Sequence, residues 1–159
     1  MIEALPNQLF EEIPFVENPV YEQIIQDIGL QKFSIIDDFF SSEIVSLLRQ
    51  SLQNKHEEDR FKKAAIGNRV NELIIKSIRG DHILWIDETK TNPAEDLFFS
   101  QINDLVSYLN KTCFMGILHK EFHYALYPKG TFYKRHIDTF QNDDRRKLSF
   151  VCYLNTEDW

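Results

Sequence analysis

The stretch Phe122-His-Tyr-Ala-Leu-Tyr127-Pro-Lys-Gly-Thr131-Phe-Tyr-Lys-Arg-His136-Ile-Asp138 decides how the rest of the chain is read. Its aromatic and β-branched residues suit a pleated, half-buried surface, and Pro128-Lys129-Gly130 supplies a turn between two strands, Phe122 to Tyr127 and Thr131 to Asp138. Alternation along a strand puts residues two apart on one face, so the His136 imidazole and the Asp138 carboxylate can converge on one ion. Imidazole suits borderline metals, and a carboxylate adds charge and hardness. That mixture serves the two-histidine, one-carboxylate facial triad, which leaves three positions on iron open for oxygen chemistry. The spacing alone leaves two other readings standing: a solvated surface pair and a histidine satisfied in a core.

Working outward, Lys147 to Leu154 predicts a further strand, whereas upstream the hydrophobic period is helical. Asn92 as cap, Pro93 at the first helical position and Glu95 at the capping-box position open a helix with Phe98, Ile102, Leu105, Val106 and Leu109 on one face. Ser41 caps an earlier helix whose Ile44, Leu47, Leu48 and Leu52 read as plain core. Tyr21 to Leu30 predicts a short helix with Ile24, Ile25 and Ile28 on one side and Gly29 near its end. Phe33-Ser-Ile-Ile36 reads as a buried strand, and Lys55 to Arg69 as a long exposed connection. Ile74 to Ile78 and His82 to Ile86 read as a strand pair turned by Arg79-Gly80-Asp81. The class is therefore α+β, with helices packed before and against a mainly antiparallel sheet.

With 159 residues, 43% hydrophobic and 13% aromatic, the chain buries one core, so residues 1–159 are read as a single domain with residues 1–20 as a loose N-terminal segment. A net charge of -7 argues against a general nucleic-acid binder, because phosphate affinity needs clustered Lys and Arg. Cys113 and Cys152 form neither a CxxC nor a zinc-finger spacing, and reduced thiols in a cytoplasm fit them. No segment approaches membrane-spanning length, so no membrane partner is expected.

Three ordered blocks add a resemblance. The run from Tyr127 to Asp138 is followed by Arg145-Arg146-Lys-Leu-Ser-Phe-Val-Cys-Tyr153-Leu-Asn155 and Trp159; upstream stand Ile78-Arg79-Gly80-Asp81-His82-Ile83-Leu84-Trp85-Ile86 and Ile35-Ile36-Asp37-Asp38-Phe39. From about Phe33 onward the chain resembles the iron(II)/2-oxoglutarate prolyl 4-hydroxylase superfamily, in particular the branch of oxygen-sensing prolyl hydroxylases and their bacterial relatives. That resemblance implies a double-stranded β-helix, or jelly-roll, core with supporting N-terminal helices. It makes His136 and Asp138 the first two iron ligands. Tyr153 matches the tyrosine that hydrogen-bonds the distal carboxylate of 2-oxoglutarate, and Tyr127 an aromatic lining the same pocket. Arg79 and Asp81 match a substrate-side loop, with Arg146 as the partner expected for Asp81 when substrate is bound. The implied cofactors are Fe(II), with 2-oxoglutarate as cosubstrate and ascorbate as an accessory. The implied reaction hydroxylates prolyl residues of a protein or peptide and releases succinate and CO2.

The chain also departs from the pattern. The family continues past the Tyr-Leu-Asn strand to a Gly-rich turn, a distal histidine as third iron ligand and an arginine that binds 2-oxoglutarate, whereas no histidine follows Asp138 here. The C-terminal strands are expected to be missing from this chain, which then reads as the N-terminal and central part of the domain. An incomplete sheet exposes unpaired edges and invites association. The alternative function is a catalytically inactive relative that serves as a protein-binding module or as half of a heteromer. His56, His82, His119 and His123 carry no comparable motif, and Cys152, beside Tyr153, should point to the opposite face.

Overall fold

A computed structural model describes residues 15–63, 80–138 and 146–155. It separates into two compact units, residues 1–37 and 38–159.

In the first unit, Asn18 caps helix α1 (Pro19–Gln31) by accepting from the Val20 and Tyr21 amides at 3.0 and 3.3 Å, and Pro19 stands where its missing N–H costs nothing. The helix therefore begins two residues inside the segment expected to be loose, and residues 1–14 lie outside the described residues. Tyr21 and Ile24 are buried. Gly29 lies in the last turn, as expected, and the helix closes on Lys32, which takes a left-handed φ of 72° and donates its amide to Ile28. The expected strand Phe33 to Ile36 is irregular, with Phe33 and Ile35 exposed. A β-branched run looks the same in sequence whether or not a neighbour completes its ladder, and among the described residues none pairs with this one.

The second unit is built on two helices, α2 (Ser42–Glu57) and α3 (Pro93–Cys113). Ser41 caps the first through the Ile44 amide at 3.3 Å. The second opens on the full capping box, Asn92 accepting from Glu95 N and Glu95 answering to Asn92 N, both at 3.0 Å. Their apolar stripes meet in a core of Phe40, Leu48, Ala94, Phe98, Phe99 and Ile102. Phe98 organises it, with Phe122 edge-on at 5.0 Å and 88° and Phe40 at 5.3 Å. Leu48 and Ile44 fulfil the core reading of α2, but Leu47 is 42% exposed because the core occupies a narrower arc than the apolar run covers. The helices are also joined by polar groups. Lys55 Nζ meets Glu95 Oε1 at 3.0 Å, Asn92 donates to Ser51 Oγ at 2.7 Å, and the Tyr124 hydroxyl reaches the same Ser51 at 3.3 Å. Desolvation pushes the buried Tyr124 phenol well above its ordinary pKa.

A three-stranded antiparallel sheet lies beside them, formed by β1 (Lys62–Lys63), β2 (His82–Trp85) and β3 (His123–Leu126) in that order. The central strand pairs Lys63 with His82 on one side and Trp85 with His123 on the other. Ile74 to Ile78, expected to pair with this strand, lies outside the described residues. Two expected strands are corrected. Residues 131–138 contain only an isolated bridge at Tyr133, and residues 146–155 carry no strand pairing, since neither finds a continuous ladder among the described residues. Residues 146–155 nevertheless alternate as a strand would. Phe150, Cys152 and Leu154 pack on the core, Ser149, Val151 and Tyr153 face outward, and Arg49 of α2 donates to Leu154 O at 2.9 Å. Cys152 thus faces away from Tyr153, as the alternation required. No described helix is long and apolar enough to cross a membrane.

Candidate metal centre

The segment that carries His136 is fixed at its start by two close contacts. Gly130 takes the left-handed φ of 80° that closes the turn after Pro128, whose carbonyl accepts from Thr131 N at 2.9 Å and Thr131 Oγ1 at 2.7 Å. Gly80 then lies so near this segment that a Cβ there would stand 2.8 Å from Thr131 Cβ, while its amide donates to Phe132 O at 3.1 Å. Glycine is required at position 80 by this approach, and the approach joins Gly80 and Asp81, just ahead of β2, to the chain leading to His136. Asp81 is only 2% exposed. Arg79 lies outside the described residues.

Although 131–138 is not a regular strand, the two-residue spacing does bring its reactive ends together. His136 Nε2 and Asp138 Oδ1 are 3.0 Å apart, both on partly exposed side chains. His136 Nδ1 lies 2.8 Å from Lys134 O. A carbonyl oxygen can only accept, so Nδ1 carries a hydrogen and Nε2 is the nitrogen turned to the carboxylate. At that distance a proton or a cation lies between Nε2 and Oδ1: a proton makes an imidazolium–carboxylate pair, and a metal takes the Nε2 lone pair in its place. Two donors about 2.1 Å from one ion and at right angles stand about 3.0 Å apart, so the pair fits two adjacent positions on a metal. Among the described residues no group of three His, Cys, Asp or Glu is assembled to hold one.

The surroundings restrain both groups. The Tyr133 ring stacks on the His136 imidazole at 3.7 Å and 22°. Ser149 donates to Asp138 Oδ2, and Arg146 donates to the Asp138 carbonyl at 3.1 Å while its other nitrogen lies 3.9 Å from Glu121. The Ser149 hydrogen bond, helped by the charges of His136 and Arg146 and opposed by partial burial, holds the Asp138 carboxyl below its usual pKa.

Of the residues singled out in the sequence, His136, Asp138 and Arg146 are therefore brought together. Tyr127 and Tyr153 are 48% and 68% exposed. Ser149, Tyr133 and the Lys134 carbonyl were missed. Ser149 was findable, since counting back two at a time from Tyr153 along an extended chain reaches Val151 and then Ser149. Two of the remaining histidines lie against aromatic rings, His56 edge-on to Phe61 at 5.7 Å and His123 against Trp85 at 4.7 Å, whereas His82 Nδ1 is buried without a hydrogen-bond partner.

Comparison with known proteins gives a family likeness. Residues 122–159 match the model of the 2OG-Fe(II) oxygenase superfamily. The chain resembles the prolyl-hydroxylase-like 2-oxoglutarate oxygenases. It is 25% identical over 148 residues to the hypoxia-inducible factor prolyl hydroxylase of Caenorhabditis elegans, covering 88% of this chain and 20% of that protein. It superimposes on the crystal structure of a Pseudomonas putida prolyl-4-hydroxylase with a TM-score of 0.68 and 29% identity, covering 76% of this chain and 62% of that one. The chain thus spans about a fifth of the length of the curated relative.

Proposed function

We propose that the protein is an iron(II)- and 2-oxoglutarate-dependent dioxygenase that hydroxylates prolyl residues of a protein or peptide, with succinate and CO2 as coproducts. The observation that carries the reading is the 3.0 Å approach of His136 Nε2 to Asp138 Oδ1, with the imidazole's other nitrogen occupied by Lys134 O. His136 and Asp138 would hold the iron, and the likeness to prolyl hydroxylases supports both the cosubstrate and the prolyl target. Bound iron(II) with 2-oxoglutarate supplies the oxidising power for C–H hydroxylation. The chain's own residues present one face of that ion and hold the imidazole in the tautomer that binds it. Tyr153 belongs to the outward row of residues 146–155 and would meet the distal carboxylate of the cosubstrate, and Tyr127 would line the same pocket. Arg79, Asp81 and Arg146 would form the substrate side, and the domain would continue the jelly-roll architecture of the relatives, with residues 1–159 inside one catalytic domain. Ascorbate would keep the iron reduced, and the cytoplasm is the proposed compartment.

The test incubates the full-length protein with iron(II), 2-oxoglutarate and a proline-containing peptide, and measures succinate release and hydroxyproline. Release that requires iron and is abolished by His136→Ala is expected. Failure of the verified protein to release succinate above background with any proline-containing peptide, together with tight peptide binding, would instead establish the non-catalytic binding module.

A further inference from the structure

The two oxygens of Asp138 have separate partners. Oδ1 faces His136 Nε2 at 3.0 Å, Oδ2 accepts from Ser149, and the backbone carbonyl of the same residue is held by Arg146 at 3.1 Å. The carboxylate can turn Oδ2 toward an ion beside His136 only by giving up the Ser149 hydroxyl. That hydroxyl is carried by a well-anchored piece of chain. Its neighbour Phe150 packs against Phe39 at 5.5 Å and Phe40 at 6.1 Å, and Cys152 and Leu154 follow into the same core. Asp138, by contrast, lies in residues 131–138, which have no regular strand pairing among the described residues.

From this we infer that Ser149 is a positioning residue for the metal. By occupying Oδ2 it keeps Asp138 a one-oxygen ligand, so that the carboxylate takes a single position and leaves its neighbour open. The inference rests on the proposed metal role of His136 and Asp138. Hydrogen bonds of this kind, made to a ligand rather than to the ion, orient the ligand and govern affinity. Ser149 is exposed and the serine side chain fills no core space, so its replacement acts on the carboxylate and not on packing.

The experiment uses Co(II) as the probe, on the full-length protein, with affinity read by equilibrium dialysis and coordination by visible absorption. Ser149→Thr and Ser149→Val have nearly the same shape and differ in the hydroxyl. The Thr variant is expected to bind Co(II) like the wild type, whereas the Val variant binds about 10–100-fold more weakly. Its Co(II) absorption also weakens, as Oδ2 enters coordination and the ion gains a ligand. In an Asp138→Ala background, Ser149→Val should change nothing further. Wild type and Val variant binding equally with the same spectrum would overturn the inference alone. A wild type that takes up no Co(II) would overturn the metal reading of His136 and Asp138, and the inference with it.

Discussion

Replacing Gly80 by alanine tests the joint between the start of β2 and the segment that carries His136. The added Cβ would stand 2.8 Å from Thr131 Cβ and 3.1 Å from its Cγ2. Neither atom can swing aside freely, because the Thr131 hydroxyl and amide are both bonded to Pro128 O. The segment must therefore move by several tenths of an ångström, and inserting one carbon into a packed contact costs about 1–3 kcal/mol. For a domain of this size each 1 kcal/mol lowers Tm by roughly 2–4 °C, so a fall of about 2–12 °C is expected in a thermal melt. The same movement is passed on toward His136, so Co(II) affinity should fall as well. Gly29→Ala is the control: its Cβ meets nothing within 4 Å, and it lies in α1. There alanine should raise stability by about 0.5–1 kcal/mol through helix propensity. A Gly80→Ala protein that melts with the wild type and binds Co(II) equally would refute the argument, because the contact would then have to be absent or soft.

Other consequences can be checked independently. Glu95→Ala leaves Lys55, only 14% exposed, without its carboxylate and removes the capping-box acceptor, so urea unfolding should show a loss of about 3 kcal/mol or more. Phe98→Ala should cost about 3–5 kcal/mol in the same assay, since the ring sits at the centre of the aromatic core. Thr89 donates its hydroxyl and amide to Asp87 at 2.7 and 3.0 Å, which lowers that carboxyl's pKa. A depressed folded value means that its stabilising effect is complete above the ordinary carboxylate range and lost as pH falls through the lowered value. Carboxyl NMR should show Asp87 titrating below its usual value in the wild type and moving back toward it in Thr89→Ala, which removes the hydroxyl donor but keeps the amide and Lys90. Cys152 is half-buried and burial raises its thiol pKa, whereas Cys113 is exposed. A thiol reagent near neutral pH should modify Cys113 first.

The starts of α2 and α3 were legible because their signals are local: Ser41 and Asn92 satisfy amides within three residues, and such caps do not depend on the rest of the fold. Asn18 does the same for α1, which begins two residues before the expected Tyr21, and α2 runs to Glu57, past the expected start of the connection at Lys55. The strands were less legible. Phe33 to Ile36, 131–138 and 146–155 all have strand composition, yet pairing depends on a neighbour distant in sequence, and a propensity cannot supply one. The face pattern survived where the ladder did not. Phe150, Cys152 and Leu154 point inward because burial needs only a core, and the same alternation predicts the outward placing of Tyr153. At the candidate site the ligand pair was readable because His136 and Asp138 are two residues apart. The contact from Ser149 crosses eleven residues and arises only when the two segments meet. The close approach of Gly80 to Thr131 was invisible for the same reason.

The acceptor that fixes the His136 imidazole is a main-chain oxygen, and this has a consequence for genetics. Every amino acid supplies that oxygen, so substitution at Lys134 leaves the anchor in place, and an alanine scan would score the position as silent. Related sequences are then free to drift at position 134 while position 136 stays fixed. The orientation of the ring is inherited through the course of the backbone, without being written in any side chain that mutation could erase.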